Sequence, residues 1–520
     1  VLLLLGGGLF WWVARIPAAP VAITAQPGAS REQAPAATGP SIAVLPFVNM
    51  STDVENGFFA DGISEELLNV LASVDGLKVA SRTSAFSFKG KDIPIPEIAR
   101  QLGVEHVLEG SVRKQGQRVR ITAQLIHAGS DGHLWSETYD RDLTDIFKVQ
   151  EEIAQAITRE LEGIIGKRQV AVVASTDNLE AYQSFLQGRA RFHRRDELLA
   201  AIDDLSSAVK LDPNFAEAWI YLAATWAVLP GYVRDEARVA RSETEIAAAL
   251  KHAEALAPKH PMALALRSRL LENSGELAGA LALLEESARL SAQDSTPTLW
   301  RGTLLLRSGY IEEAIAVLES AQRMDPLSGV ITGYLALAYL SSGQYDKAEA
   351  NARKAMSQGW EPALTVAMSD AAARGEHAKA LSLFDELAKR YPSLTEKERK
   401  FATTYRELLR NPANAAALKA LREEDEAIDL ESSIAINRFD IPLGAVERDI
   451  EGDPDAGRRQ WWLRSAWLPS TVGLRTHPRF FAIAEKLGFV RFWEARGYPS
   501  GCKRASAPGG DHLDCKVTSL

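Results

Sequence analysis

Cysteine is almost missing from this 520-residue chain: Cys502 and Cys515, both near the C-terminus, are the only two. The rest of the chain therefore has no thiol for catalysis or metal binding, and the pattern suits an oxidising compartment. An excess of basic residues is also lacking. Lys and Arg number 59 against 68 Asp and Glu, for a net charge of -9 and a pI near 5.7. No overall field draws the chain to nucleic-acid phosphates or anionic lipid, so no nucleic-acid partner is expected. Catalytic signatures are absent too: there is no Gly-rich phosphate loop after a strand, no Ser or Cys nucleophile motif and no HExxH. The one glycine cluster, Gly6-Gly7-Gly8, lies inside an apolar run. No enzyme and no cofactor is expected within these residues.

Long hydrophobic runs are confined to "VLLLLGGGLFWWVA", Val1–Ala14. As a helix it would reach about 21 Å at 1.5 Å per residue, short of the roughly 30 Å hydrocarbon core of a bilayer. Trp11, Trp12 and Arg15 follow the apolar part, where interfacial aromatics and a cation belong. No basic stretch precedes the run, and the first Ala-x-Ala is Ala34-Pro35-Ala36, so a cleaved signal fits poorly. We read residues 1–15 as the outer part of a membrane helix. Residues 16–40, rich in Pro and Ala, read as a semi-rigid solvated linker.

What is present, at 46% hydrophobic and 24% charged residues, is enough for two to four ordinary domains. "SIAVLPFVNM" is a short apolar, β-branched strand, and "DGISEELLNVLASVDG" offers Ser64 as N-cap of a helix stopped at Gly76. A second strand, a short helix ending at Gly103, a hairpin turning at Gln115-Gly116, a strand through "HLWSETYDR" and a long helix to Gly166 complete an α/β domain with a mixed sheet.

The blocks Val44-Leu45-Pro46-Phe47, Phe59-Ala60-Asp61-Gly62-Ile63, Leu108-Glu109-Gly110-Ser111-Val112 and His133-Leu134-Trp135-Ser136-Glu137 resemble the TolB amino-terminal-like, or FlgO-like, domain over 41–168. The resemblance implies an α/β module without chemistry of its own. It also implies an inner-membrane, single-pass protein with its bulk in the periplasm, often followed by tetratricopeptide repeats. Proteins of this kind carry a class III adenylate cyclase or a winged-helix regulator at the cytoplasmic end. Asp61 is similar to the metal-binding start of a class III cyclase, but the second aspartate has no counterpart, and Asp61 reads as a polar group at a helix start. His106, His127 and His133 have no partner at metal-ligand spacing. Arg113, Lys114, Arg118 and Arg120 read as a solvated face.

Beyond residue 178 small residues recur. Ala280, Ala314 and Ala348 are 34 apart, each preceded by Gly275, Gly309 and Gly343, and Ala380 with Gly375 follows. This is the tetratricopeptide period: Ala or Gly lets paired helices cross closely, and Pro213 or Pro326 ends the second helix. About six repeats over 180–394 are expected to form an all-α solenoid whose first helices line a concave face. By repeat position, Gln183, Leu186, Ala190, Met262, Ala265, Arg269, Leu299, Thr303, Arg307, Gly333 and Leu337 line that face. Arg269 and Arg307 are the strongest contact candidates, since a charged group there has no packing role, with Gln183, Met262 and Leu299 beside them. The lining lacks a run of Lys, Arg and Asn to grip a peptide carboxylate, so the ligand class stays open.

From 395 to 500 an irregular helical segment reads as a cap over the last repeat, with Trp461, Trp462, Trp467 and Trp493 in packing roles. In the 501–520 tail, Cys502 and Cys515 flank a flexible Pro508-Gly509-Gly510 loop and suit a disulfide better than a metal site with His512. The expected protein is thus a non-enzymatic, membrane-anchored sensor or scaffold that binds a protein or peptide, with homodimerisation open. The alternative is the sensory portion of a cyclase or regulator whose effector domain precedes Val1.

Overall fold

The computed structural model describes residues 40–165, 175–389, 396–420 and 463–515, except for short breaks at 54–55, 196, 234–235, 292, 412, 415, 418 and 508–509, together with single positions near 434–447. The expected membrane helix and linker lie outside the described residues. Among the described residues no helix is long and apolar enough to cross a membrane.

The first domain holds a six-stranded mixed sheet. β1 (Ser41–Val44) lies between β3 (Lys78–Val79) and β4 (His106–Gln115), parallel to both, and β2 (Val48–Asn49) extends the parallel pairing along β4. β5 (Arg118–His127) and β6 (Gly132–Asp142) add antiparallel strands. Alternate residues of β1 face opposite sides, as the pleat requires. Ile42 and Val44 join Phe59, Ile63, Leu67 and Ile153 beneath α1 (Gly57–Ala72) and α4 (Ile146–Glu160). Ala43 and Leu45 join Phe88, Ile98 and Leu102 beneath α2 (Arg82–Phe86) and α3 (Ile95–Leu102).

Helix α1 begins seven residues before Ser64, so Ser64 does not cap it. Its hydroxyl, fully buried, instead donates to the Ala60 carbonyl (3.0 Å) and accepts from the Phe47 amide (2.8 Å), pinning the helix to the segment that joins β1 to β2. Asp61, in the second turn, pairs with Lys89.

Six helix pairs follow among the described residues: α5 (Leu179–Arg194) with α6 (Leu198–Leu211), α7 (Ala216–Val228) with α8 (Glu236–Leu256), α9 (Pro261–Asn273) with α10 (Leu277–Leu290), α11 (Ser295–Arg307) with α12 (Ile311–Met324), α13 (Gly329–Ser341) with α14 (Tyr345–Ser357), and α15 (Pro362–Ala373) with α16 (His377–Ala388). Where helices cross, small residues are obligatory: a Cβ on Gly302 would lie 2.6 Å from Leu318. Ala280, Ala314, Ala348 and Ala380 are buried at the matching places on the second helices.

Helix α17 (Glu396–Arg410) packs on α16, with Tyr405 meeting Phe384 at 6.3 Å and Ser369 at 2.9 Å. Residues 463–500 depart from the expected cap. They run back along the edge formed by the turns inside the pairs, as a strap containing α18 (Pro478–Lys486) and α19 (Phe489–Arg496). Ser470 donates to Asp370 in the sixth pair. Trp467 Nε1 donates to the Arg307 carbonyl (2.8 Å) and Trp493 Nε1 to that of Ser308 (2.9 Å) in the fourth. Gly488 meets Gly275 in the third. The Trp467 indole fits against the Gly309 turn, where a Cβ would stand 2.6 Å from the ring, and meets Trp493 edge-on, which explains why this segment lies along the solenoid rather than over its end. The chain closes in a hairpin of β7 (Cys502–Ala507) and β8 (Gly510–Cys515), its open end joined by a Cys502–Cys515 disulfide.

Candidate functional site

The residue at each helix crossing sets the register of the concave face. It is Gly188, Ala223, Ser268, Gly302 and Ala336 on the first helices of pairs one to five. Twelve residues separate Ser268, Gly302 and Ala336 from Ala280, Ala314 and Ala348, but thirteen separate Gly188 from Ala201. The extra residue sits in the turn at Arg195, which adopts a left-handed φ of 63° where later pairs carry glycine. The frame expected for the first pair is therefore one residue out. Gln183 falls beside the groove, Ala190 packs internally, and Arg189 and His193 take the places facing it.

That stretch of groove is filled by the protein itself. Helix α1 lies against α5, and a Cβ on Gly62 would strike Leu186 at 2.7 Å. Glu65 receives Arg82 Nε (2.7 Å), His193 Nε2 (3.0 Å) and Tyr221 Oη (3.3 Å), with Arg189 Nε at 3.6 Å. Arg189 also donates to Glu66, and weakly to the Gly62 carbonyl at 3.4 Å. Burial raises the Glu65 pKa, but Arg189, Arg82 and His193 outweigh it and hold it well below the usual carboxylate range. Burial pushes His193 down to about 4 and raises Glu66. Repeat spacing did not find this cluster; Gly188, as the crossing residue, was the signal.

The same domain also touches the turns between pairs. Gln293 Oε1 accepts from the Val79 amide (2.7 Å), while its amide donates to the carbonyls of Ala72 and Leu77. Asp325 accepts from Ser81 and Ser84 at the start of α2. These turns lie on the edge opposite the strap, because paired helices run antiparallel. The first helices of pairs three to five thus form a floor between the α/β domain on one edge and the strap on the other.

On this floor Arg269 is exposed, with its guanidinium 5.3 Å from the centre of the Trp300 ring. Although water reaches it, protein surrounds it: desolvation lowers its pKa, which Glu272 opposes and Arg307 reinforces. Arg307, by contrast, is engaged by Glu272, both largely withdrawn from solvent, so its charge is spent within the chain. Met262, Leu299, Thr303 and Tyr334 are half-buried. Tyr334 leans on Trp360 at 5.4 Å, whose ring closes over Gly333, so neither Gly333 nor the buried Leu337 is open to a ligand. Among the described residues no group of three or more His, Cys, Asp or Glu could hold a metal ion. The floor presents the exposed Arg269, the Trp300 indole and half-buried apolar side chains.

Residues 38–156 match a family described as the HilA/YgeH-like transcriptional regulator, second domain. A protein of Rhizobium meliloti (strain 1021) named putative adenylate cyclase 3 is 43% identical over 183 residues, 34% of this chain, and the chain spans 31% of that relative's length. Similar solved structures include TolB from Acinetobacter baumannii, 17% identical over 24% of this chain and 29% of that one with a TM-score of 0.19. They also include a thermophilic TPR protein of Thermus thermophilus, 23% identical over 34% of this chain and 91% of that one with a TM-score of 0.28.

Proposed function

We propose that this chain is a non-enzymatic binding region of a bacterial signalling protein, which takes a protein or peptide along the first helices of pairs three to five. The observation that carries this reading is the accessible Arg269–Trp300 pair on a floor of half-buried apolar residues. Trp300 packs one side of its ring against the core, and the half-exposed indole beside the exposed Arg269 offers a partner both charge and apolar area. The reading is tested by retention of a partner on the immobilised full chain against Trp300→Ala and Tyr334→Ala variants of unchanged helicity. Loss of the partner from both variants is expected, and full retention by both would remove the groove from the function.

A second reading concerns the output. The relative named putative adenylate cyclase 3 and the regulator family matched by the α/β domain support a chain that works beside a cyclase or a DNA-binding effector. In that arrangement an anchor formed by residues 1–15 would hold the described domains on the periplasmic side of the inner membrane. Ligand capture would then act on the effector by favouring one arrangement of the two domains. Expression of the complete reading frame with cyclic AMP measured with and without the retained partner tests this, and no change in cyclic AMP would exclude a cyclase output.

A further inference from the structure

The solenoid carries the same device twice. In pairs one and two, Arg189 follows the crossing residue Gly188, and Tyr221 precedes the crossing residue Ala223 by two places; the guanidinium lies 5.8 Å from the phenol ring. In pairs three and four, Arg269 follows Ser268 and Trp300 precedes Gly302 by two places, with the guanidinium 5.3 Å from the indole. At the first location the occupant is known: the acidic helix α1, whose Glu65 and Glu66 carboxylates meet Arg189 while its Gly62 face lies on Leu186. At the second, Arg269 makes no ion pair among the described residues and is exposed.

We propose that the Arg269–Trp300 site binds an acidic helical segment of a partner protein, which presents a glutamate to Arg269 and an apolar face to Trp300, Leu299 and Met262, as α1 does to the first pair. The proposal rests on the groove being the ligand site. Charge decides the class of occupant: Glu272 and Arg307 neutralise one another, leaving Arg269 as the net charge of the floor. A cationic ligand would have to desolvate against it, whereas a carboxylate gains a charge-assisted hydrogen bond. The tyrosine hydroxyl that touches Glu65 at the first site is replaced by an indole, which stacks under the guanidinium and offers more apolar area.

The probe is a fluorescein-labelled peptide of residues 57–72, GFFADGISEELLNVLA, titrated into the full chain by anisotropy. Saturable binding is expected, weakened at least tenfold by Arg269→Ala and to a similar degree when the peptide carries Glu65→Gln and Glu66→Gln. Arg269 is exposed and makes no ion pair among the described residues, so its replacement leaves the fold intact, as circular dichroism would verify. Binding unaffected by Arg269→Ala would overturn the proposal, since it would place the peptide elsewhere, for instance on the first pair after displacement of α1. Absence of saturable binding would overturn it as well. Binding weakened by Trp300→Ala but indifferent to Arg269→Ala and to the peptide's carboxylates would keep the groove as a ligand site and refute its preference for acid.

Discussion

Arg189 of the first helix pair and Glu65 of the α/β domain lie 3.6 Å apart with 2% and 4% of their surfaces exposed. Their pairing ties the two domains together. Two carboxylates, Glu65 and Glu66, depend on that guanidinium, while Arg82 adds a second charge and His193 a hydrogen bond to Glu65 alone. Breaking a buried pair from one side leaves an uncompensated charge and costs about 3–5 kcal/mol. Arg189→Ala is therefore expected to release the α/β domain from the solenoid, with accelerated proteolysis between them and a lower first thermal transition. Glu65→Gln, which keeps the shape and removes one charge, should be milder.

Acid should loosen the same contact. His193 is held neutral, its pKa brought by burial from the ordinary 6.5 to about 4. The unfolded chain therefore binds the proton first, and stability falls as the pH drops from about 6.5 towards 4. Glu65, whose pKa lies below its unfolded value, keeps its contribution above the ordinary carboxylate range and loses it only at lower pH. His193→Gln is expected to flatten the stability profile between pH 6.5 and 4. A profile unchanged in that window would place the acid sensitivity elsewhere.

The strap is held by close backbone approach. Gly488 has a φ of 83°, and a Cβ there would stand 2.2 Å from the Gly275 carbonyl oxygen. Gly488→Ala should detach α18 and α19 and expose the strap to protease. Gly359 supplies the control, with a φ of 86° and nothing within 4 Å, so Gly359→Ala should cost only the backbone term of about 1–2 kcal/mol.

The Cys502–Cys515 disulfide closes a hairpin of sequence separation 13. In the chain-entropy account a loop of that size contributes about 3 kcal/mol. The native protein should yield no reactive thiol until reduced, then two. Reduction should loosen the hairpin, whose Leu513 is buried among the strap's apolar residues, before it affects the helix pairs.

The regular parts of this fold were legible because their causes are local. Gly103, left-handed at φ 65°, ends its helix, and the 34-residue spacing of alanines follows from helix crossing. The departures have non-local causes. Ser64 reads as a cap until the Phe47 amide, seventeen residues earlier, claims its hydroxyl. One added residue at the Arg195 turn moves the whole face of α5. Nothing in a period announces that Trp467 will lie on Gly309. At the candidate site, Arg269 was visible as a charge without a packing role, whereas the engagement of Arg307 by Glu272 needed the neighbouring helix to be in place.

Whether the floor of pairs three to five receives a protein ligand is decided by placing a photo-crosslinking amino acid at position 300 of the full chain and sequencing what it captures. One recurring partner peptide rich in Asp and Glu is expected, lost when Arg269→Ala is added. Crosslinks only to the chain's own strap or α/β domain, under conditions where the partner is bound, would contradict it.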